Sequence, residues 1–291
     1  MRSLILVPVI HTSADLGSLA KEVTQRGIAD LGEDVWEKHT AVVEKFWDKI
    51  SDYFNSMDVS GMKIYQDGMV AEGEVGQRIV EESAKAGSRN YELVSRLLKR
   101  GAILVKTEDF KLVKEERDLL VALTQAKSIT HKLIAFIKYK LVKDGLLNKR
   151  DKFIAKRIND SLVQDETGVL FIGAYHNVKK RLPESIRVRE AKEVRKVKEY
   201  QRLLPFCHKH KKRFDELGGY LISEIHRPNR DFGICCVSCR SYWTCETKWY
   251  RGEKGEKDVC CNLCNFYDDC LMEQVKNKTL AKKGSAADPA K

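Results

Sequence analysis

No run of about 18 or more apolar residues occurs in this 291-residue chain, so no transmembrane helix is expected. Cysteine is missing from the whole body of the chain; all nine stand from Cys207 onward. The apolar opening, Leu4 to Ile10, has no small-residue cleavage site behind it. It runs into His11, Thr12 and Ser13, which reads as a buried strand and not a signal peptide. With no secretion signal, the expected location is cytoplasmic. Hydrophobic residues make up 43% and charged residues 33%, which excludes a disordered polar chain and the collagen, coiled-coil and mucin-like classes. The length suits one large domain or two smaller ones, with enough apolar material for a core.

The net charge of +11 is placed unevenly. Residues 179–213 hold 14 Lys and Arg against four Glu, a net of +10. Residues 214–291 hold 12 of each sign, which leaves +1 for residues 1–178. A near-neutral body with one basic segment suits nucleic acid, an anionic lipid or a protein partner, and equally a solvated helix face. Within 187–202, Glu190, Glu193 and Glu199 lie at helical spacing from the bases, as on an exposed helix. Nucleic-acid binding through Arg187, Arg189, Lys192, Arg195 and Lys196 is one expectation, and self-association is another.

Four regions follow. Residues 1–180 read as an α/β domain, 181–226 as a basic helical connector, 232–272 as a cysteine-rich module and 276–291 as a disordered tail. In the first, Ser3–Ile10, Met62–Tyr65, Ala102–Lys106 and Gly168–Ala174 are apolar throughout, as strands buried on both faces are. Helical spacing spans 36–54, 80–98 and 110–142, the last with at most one break and Gly145 as its stop. Arg150–Leu162 adds an amphipathic helix. The aromatic residues of 36–54 read as core, and His39 and His131 as structural. Strands alternating with helices predict an α/β fold, a mostly parallel sheet flanked by helices. Right-handed crossovers would set all carboxyl ends on one edge, where such sheets bind ligands.

Every strand candidate runs into polar residues. They are His11-Thr12, Gln66-Asp67-Gly68, Thr107-Glu108-Asp109 and Tyr175-His176-Asn177. Imidazoles with carboxylates form a normal shell for zinc, manganese, iron or cobalt, and an open position there activates water. The plain alternative is a set of polar strand ends. Gly173 would let the backbone approach a neighbour or a ligand.

Gly173-Ala174-Tyr175-His176 and Arg150-Asp151 also resemble motifs of the TraB/PrgY group, with the Tiki proteins and, more distantly, the erythromycin-esterase-like proteins. That group has a Gly-x-x-His at its first strand end, a second near the end of the domain and an Arg-Asp pair between them. Here the first motif is Pro8-Val9-Ile10-His11, with Pro for Gly, and Gln66-Asp67 stands where Glu is usual. The resemblance covers about residues 1–185. It implies a divalent metal (manganese, cobalt, iron or zinc) on His11 and His176, and a hydrolase activity. Asp67 or Glu108 would complete the shell or act as general base. Arg150 would stabilise an oxyanion or hold a carboxylate, and Asp151 would orient it. The alternative for Arg150-Asp151 is a first-turn helix pair.

The cysteines give the most specific pattern. Cys235-Cys236-x2-Cys239 followed by Cys245 recurs 25 residues later as Cys260-Cys261-x2-Cys264 followed by Cys270. Two Cys-x2-Cys knuckles grip one metal tetrahedrally, and Cys236, Cys239, Cys261 and Cys264 have zinc-ribbon spacing. Cys235, Cys245, Cys260 and Cys270 suffice for a second site. Zinc, an iron–sulfur cluster and disulfides compete here, in that order. Cys207, His208 and His210 either add ligands or form part of a basic helix. Three functions stand: a metal-dependent hydrolase with a structural zinc module, a zinc-ribbon protein binding nucleic acid or a protein partner, and an iron–sulfur redox or sensor protein.

Overall fold

The chain was analysed as a computed structural model that describes residues 2–12, 14–15, 20–55, 57–125 and 128–225. It divides into two units, Met1–Ser223 and Glu224–Lys291, and only Glu224 and Ile225 of the second are described. The cysteine module and the tail therefore lie outside the described residues.

Five parallel strands form one sheet in the order β3-β2-β4-β1-β5. They are β1 (Arg2–Val9), β2 (Lys63–Gln66), β3 (Ile103–Val105), β4 (Thr167–Gly173) and β5 (Ile186–Glu190). Eight α-helices are described: α1 (Ala20–Leu31), α2 (Glu33–Asn55), α3 (Gly73–Lys85), α4 (Arg89–Lys99), α5 (Phe110–Gln125), α6 (Ile129–Ser161), α7 (Val194–Leu203) and α8 (Lys211–Ile222). The α/β class and the parallel sheet flanked by helices are as the sequence predicts.

Strand alternation divides the core into two layers. Leu4 and Leu6 of β1, Tyr65 of β2 and Leu170 and Ile172 of β4 pack with Ile154, Ala155 and Ile158 of α6. On the other face Phe171 of β4 meets Phe54 of α2, ring centres 6.1 Å apart. The buried side of α2 runs Val43, Phe46, Trp47, Ile50, Phe54, one stripe at helical spacing. Trp47 Nε1 donates to the Ile10 carbonyl at 3.0 Å, anchoring the carboxyl end of β1.

Three sequence expectations need correction. The helix expected over 80–98 is two, α3 and α4. Gly87, at φ +90°, turns the chain in a region that side chains disfavour. Ser88 then caps α4, its hydroxyl accepting from Tyr91 N at 3.2 Å. Gly145 does not end a helix, because α6 runs through it from Ile129 to Ser161. A mid-helix glycine costs only about 1 kcal/mol, which a long helix packed at both ends absorbs. The segment 181–226 is not a helical connector throughout, since Ile186–Glu190 forms an edge strand on β1. Its charged alternation, IRVRE, leaves one polar face and hides the strand among helix-like charge pairs.

Ile158 is fully buried between α6 and the sheet. Replacing it with Ala should cost about 2–5 kcal/mol of stability by leaving a cavity. Chemical denaturation with an unchanged slope and a lowered midpoint checks this.

Candidate functional site

The carboxyl ends of the strands do meet on one edge, and there six of the expected residues, two of them from α6, come into bonded contact. Arg150 and Asp151 lie in the middle of α6, whose later turns pack on the sheet. Arg150 is 5% exposed and Asp151 1%. Consecutive helix residues point about 100° apart, so the two serve different partners.

Arg150 gathers carboxylates. Its Nε donates to Glu108 Oε2 at 2.8 Å and its Nη2 to Asp67 Oδ1 at 2.6 Å. Nη2 also donates to Glu108 Oε1, and Nη1 to Glu116. Asp151 turns to the other motif. Its Oδ1 meets His176 Nδ1 at 2.6 Å, and its Oδ2 accepts from Asn177 N at 2.8 Å. Asp151 therefore orients His176, not Arg150 as expected. Neither residue is a first-turn helix pair.

Asp67 joins the two halves. Its Oδ2 accepts from Gly173 N at 3.0 Å and lies 3.5 Å from His176 Nε2. A Cβ at Gly173 would sit 3.4 Å from Asp67 Oδ2 and 3.6 Å from His176 Cδ2, ordinary contact distances, so the residue serves here through its main-chain amide. The main-chain amide of Gly68 closes the set on Glu108 Oε1 at 3.0 Å.

These contacts drive the protonation states apart. Burial disfavours the charged imidazolium of His176, but the bonds to Asp151 and Asp67 outweigh it and push its pKa up to about 10. Burial also raises Asp67, yet His176 and Arg150 hold its carboxyl well below the usual range. For Glu108 burial prevails, helped by the neighbouring Asp67 charge, and its pKa is raised despite Arg150.

His11 stands outside this bonded set. Its side chain is 51% exposed, with Nδ1 3.9 Å from Asp15 Oδ2. Asp15 holds the turn after β1, accepting from Thr12 N at 2.5 Å and from Thr12 Oγ1 at 2.9 Å. Ser88 at the start of α4 donates to the same carboxylate. That bond sets the start of α4 over the same edge, and the pKa of Tyr91, one turn on, is raised by burial and by the charges of Asp67, Asp15 and Glu108.

Sequence reading missed Glu116, Asp15, Ser88 and Tyr91. Glu116 is one acid among many on α5 and carries no motif. Ser88 had a signal, the Gly-Ser break before an apolar helical stripe, which marks an N-cap.

The donor atoms answer for a divalent metal. All six carboxylate oxygens of Asp67, Glu108 and Asp151 already face a protein donor. Arg150 and the imidazolium of His176 take the places a cation would fill. Among the described residues, no three His, Cys, Asp or Glu side chains are grouped to hold a metal ion. In this arrangement the residues do not fit the expected metal. All eight cysteines of the repeated pattern lie outside the described residues. Cys207 is buried and free, and His208 and His210 are exposed.

The basic segment is largely engaged within the fold. Lys192 is buried and donates to the Tyr220 carbonyl at 2.9 Å and the Ser223 carbonyl at 2.7 Å. Lys196 pairs with Glu193 at 2.6 Å, and Arg213 with Glu199 at 2.8 Å. Among the described residues no helix is long and apolar enough to cross a membrane. Comparison with protein-family models, with curated proteins and with solved structures finds no match.

Two expectations follow. Arg150→Met should destabilise the protein by about 3–5 kcal/mol, because it strands buried carboxylates without their cation. His176 gains a proton on folding, so its stabilisation is whole below pH 6.5 and fades as pH rises toward about 10. The melting-temperature advantage of the wild type over His176→Gln should therefore shrink steadily across that window. An advantage that stays constant with pH would show that His176 is neutral when folded.

Proposed function

We propose that this carboxyl edge is the active site of a hydrolase, with His176 as its proton-carrying group. The observation that carries the reading is the line Asp151–His176–Asp67 beside Arg150, at the mouth of a parallel sheet. Parallel sheets bind ligands there, because neighbouring strands send their chains to opposite faces and leave a crevice. Here β2 leads to α3 and α4, whereas its neighbour β4 leads to Val178 on the α6 side.

The chemistry is of the acid–base kind. Asp151 fixes the imidazole through Nδ1 and leaves Nε2 pointing at Asp67. A protonated Nε2 can donate to a leaving group or to a developing oxyanion. Asp67 and Glu108 lie within one network yet have pKa values driven in opposite directions, the pattern by which acid and base roles are divided. Asp67 is the more open of the two, at 15% side-chain exposure against 0% for Glu108. It is therefore the ionised carboxylate placed to orient a water beside His176. Arg150 fixes both carboxylates and balances their charge. The likeness of Gly173–His176 and Arg150-Asp151 to the TraB/Tiki motifs supports the same assignment.

A metal-dependent variant is the second reading. It is favoured by register, since β1 and β4 are neighbours with Val9 opposite Gly173, so His11 and His176 leave the same edge. The repeated cysteine spacing supports a separate zinc site of structural kind.

One experiment separates these readings. Pure protein is tested for metal content by plasma mass spectrometry, with a visible spectrum, and for hydrolysis of ester, amide and phosphoester substrates. Wild type, Asp67→Asn, His176→Gln and His11→Ala/His176→Ala are compared. Hydrolysis that resists chelation and falls roughly a hundredfold in His176→Gln supports the proposal. Hydrolysis lost on chelation, with a metal equivalent missing from the double variant, transfers the site to the metal reading. Hydrolysis unchanged in both Asp67→Asn and His176→Gln sinks the proposal. Zinc retained in the double variant assigns that metal to the cysteines, and a brown protein assigns them iron.

A further inference from the structure

The first half of α6 carries an apolar stripe that no described residue covers. Leu133, Ile137 and Leu141 follow at intervals of one helical turn, with Ile134 beside them. They are 57%, 49%, 79% and 59% exposed respectively. The side of the helix that meets α5 is a different one. There Ala135 and Val142 face Leu119 and Ala122 across a shared cleft. Full burial of α6 side chains begins only at Leu146, so the stripe lies on the part that has left the sheet.

The charge around the stripe is mainly basic, although Asp144 follows it directly and Glu115 and Asp118 of α5 line the cleft that Lys138 borders. From Lys127 to Lys143 the chain holds five lysines and no acid. At 100° per residue, Lys138 falls to one side of the apolar arc and Lys140 to the other. Lys140 reaches back over the Phe136 ring, its Nζ 4.9 Å from the ring centre. Phe136 is itself 44% exposed at the border of the arc.

We infer that this half of α6 docks the protein on the surface of an anionic lipid bilayer. The helix lies in the interface plane, with Leu133, Ile134, Ile137 and Leu141 below the headgroups and the flanking lysines among them. A helix with one apolar arc bordered by lysines matches that boundary, because the stems bury with the apolar arc while the ammonium groups stay at headgroup level. Acidic headgroups supply countercharge to the excess of lysines on this half of α6. A second copy of the same face fits poorly, since each copy brings five lysines between residues 127 and 144 against the single acid Asp144. The helix does not cross the bilayer, being too polar along its length. The inference is independent of the hydrolase reading.

The test is flotation of the intact protein with vesicles of phosphatidylcholine alone and of phosphatidylcholine with phosphatidylglycerol. Wild type should float with the anionic vesicles only, and less at high salt. Leu133→Ser/Ile137→Ser/Leu141→Ser and Lys138→Glu/Lys140→Glu should each lower the partition roughly tenfold or more. Both variants change exposed side chains, so an unaltered melting temperature should accompany the loss. No flotation of wild type with anionic vesicles overturns the inference, as does flotation that survives both variants. Wild type that self-associates without binding vesicles, and becomes monomeric in the triple Ser variant, assigns the stripe to a second copy and likewise overturns it.

Discussion

Everything at the carboxyl edge depends on one buried cation. Arg150 comes from the middle of a helix and binds carboxylates from the ends of β2 and β3 and from α5. Without it, Asp67 and Glu108 would share a buried space as two like charges. With it, one is held ionised and the other is left with a raised pKa. The next residue, Asp151, fixes His176 at the end of β4. Two adjacent helix residues thus tie three strand ends to α6. Apolar residues of equal volume are often as stabilising as a buried ionic network. A network of this kind is better explained by placement of charge than by stability.

Much of this was legible in the sequence, for definite physical reasons. Four of the strands announced themselves as unbroken apolar runs, each followed by polar residues at its carboxyl end. Gly173 and His176 are therefore found at a strand end, as the apolar run before them predicts, whereas Arg150 and Asp151 stand inside α6 and not at a helix start. β5 was not legible, because an edge strand with a polar face has no apolar run. Partner choice was not legible either. Which of Arg150 and His176 Asp151 serves depends on a helix's rotation about its axis, and a local pattern does not fix that. Glu116 reaches Arg150 across the α5–α6 packing, so its role exists only in three dimensions.

Charge counts mislead in the same way. The strongest basic segment, 179–213, lends Lys192, Lys196 and Arg213 to internal partners. The smaller cluster on the first half of α6 outnumbers its one neighbouring acid, Asp144, and borders exposed apolar side chains. Location and pairing decide what a charge is for, and a net total does not.

The strand order has a consequence for how the chain is made. β1 is synthesised before the other four described strands, yet its neighbours are β4 and β5, with Ser3 opposite Thr167 and Arg2 opposite Ile186. No strand made earlier than residue 167 pairs with it. A growing chain therefore carries a finished, apolar first strand with both edges open for most of its synthesis. Closing so long a loop is slow, and open edges invite pairing with other chains. α2, which packs its aromatic stripe on the same sheet and holds the Ile10 carbonyl through Trp47, is the earliest element able to shield that strand in the interval. Nascent-chain solubility should thus depend on Trp47 before any part of the ionic cluster has been translated in full.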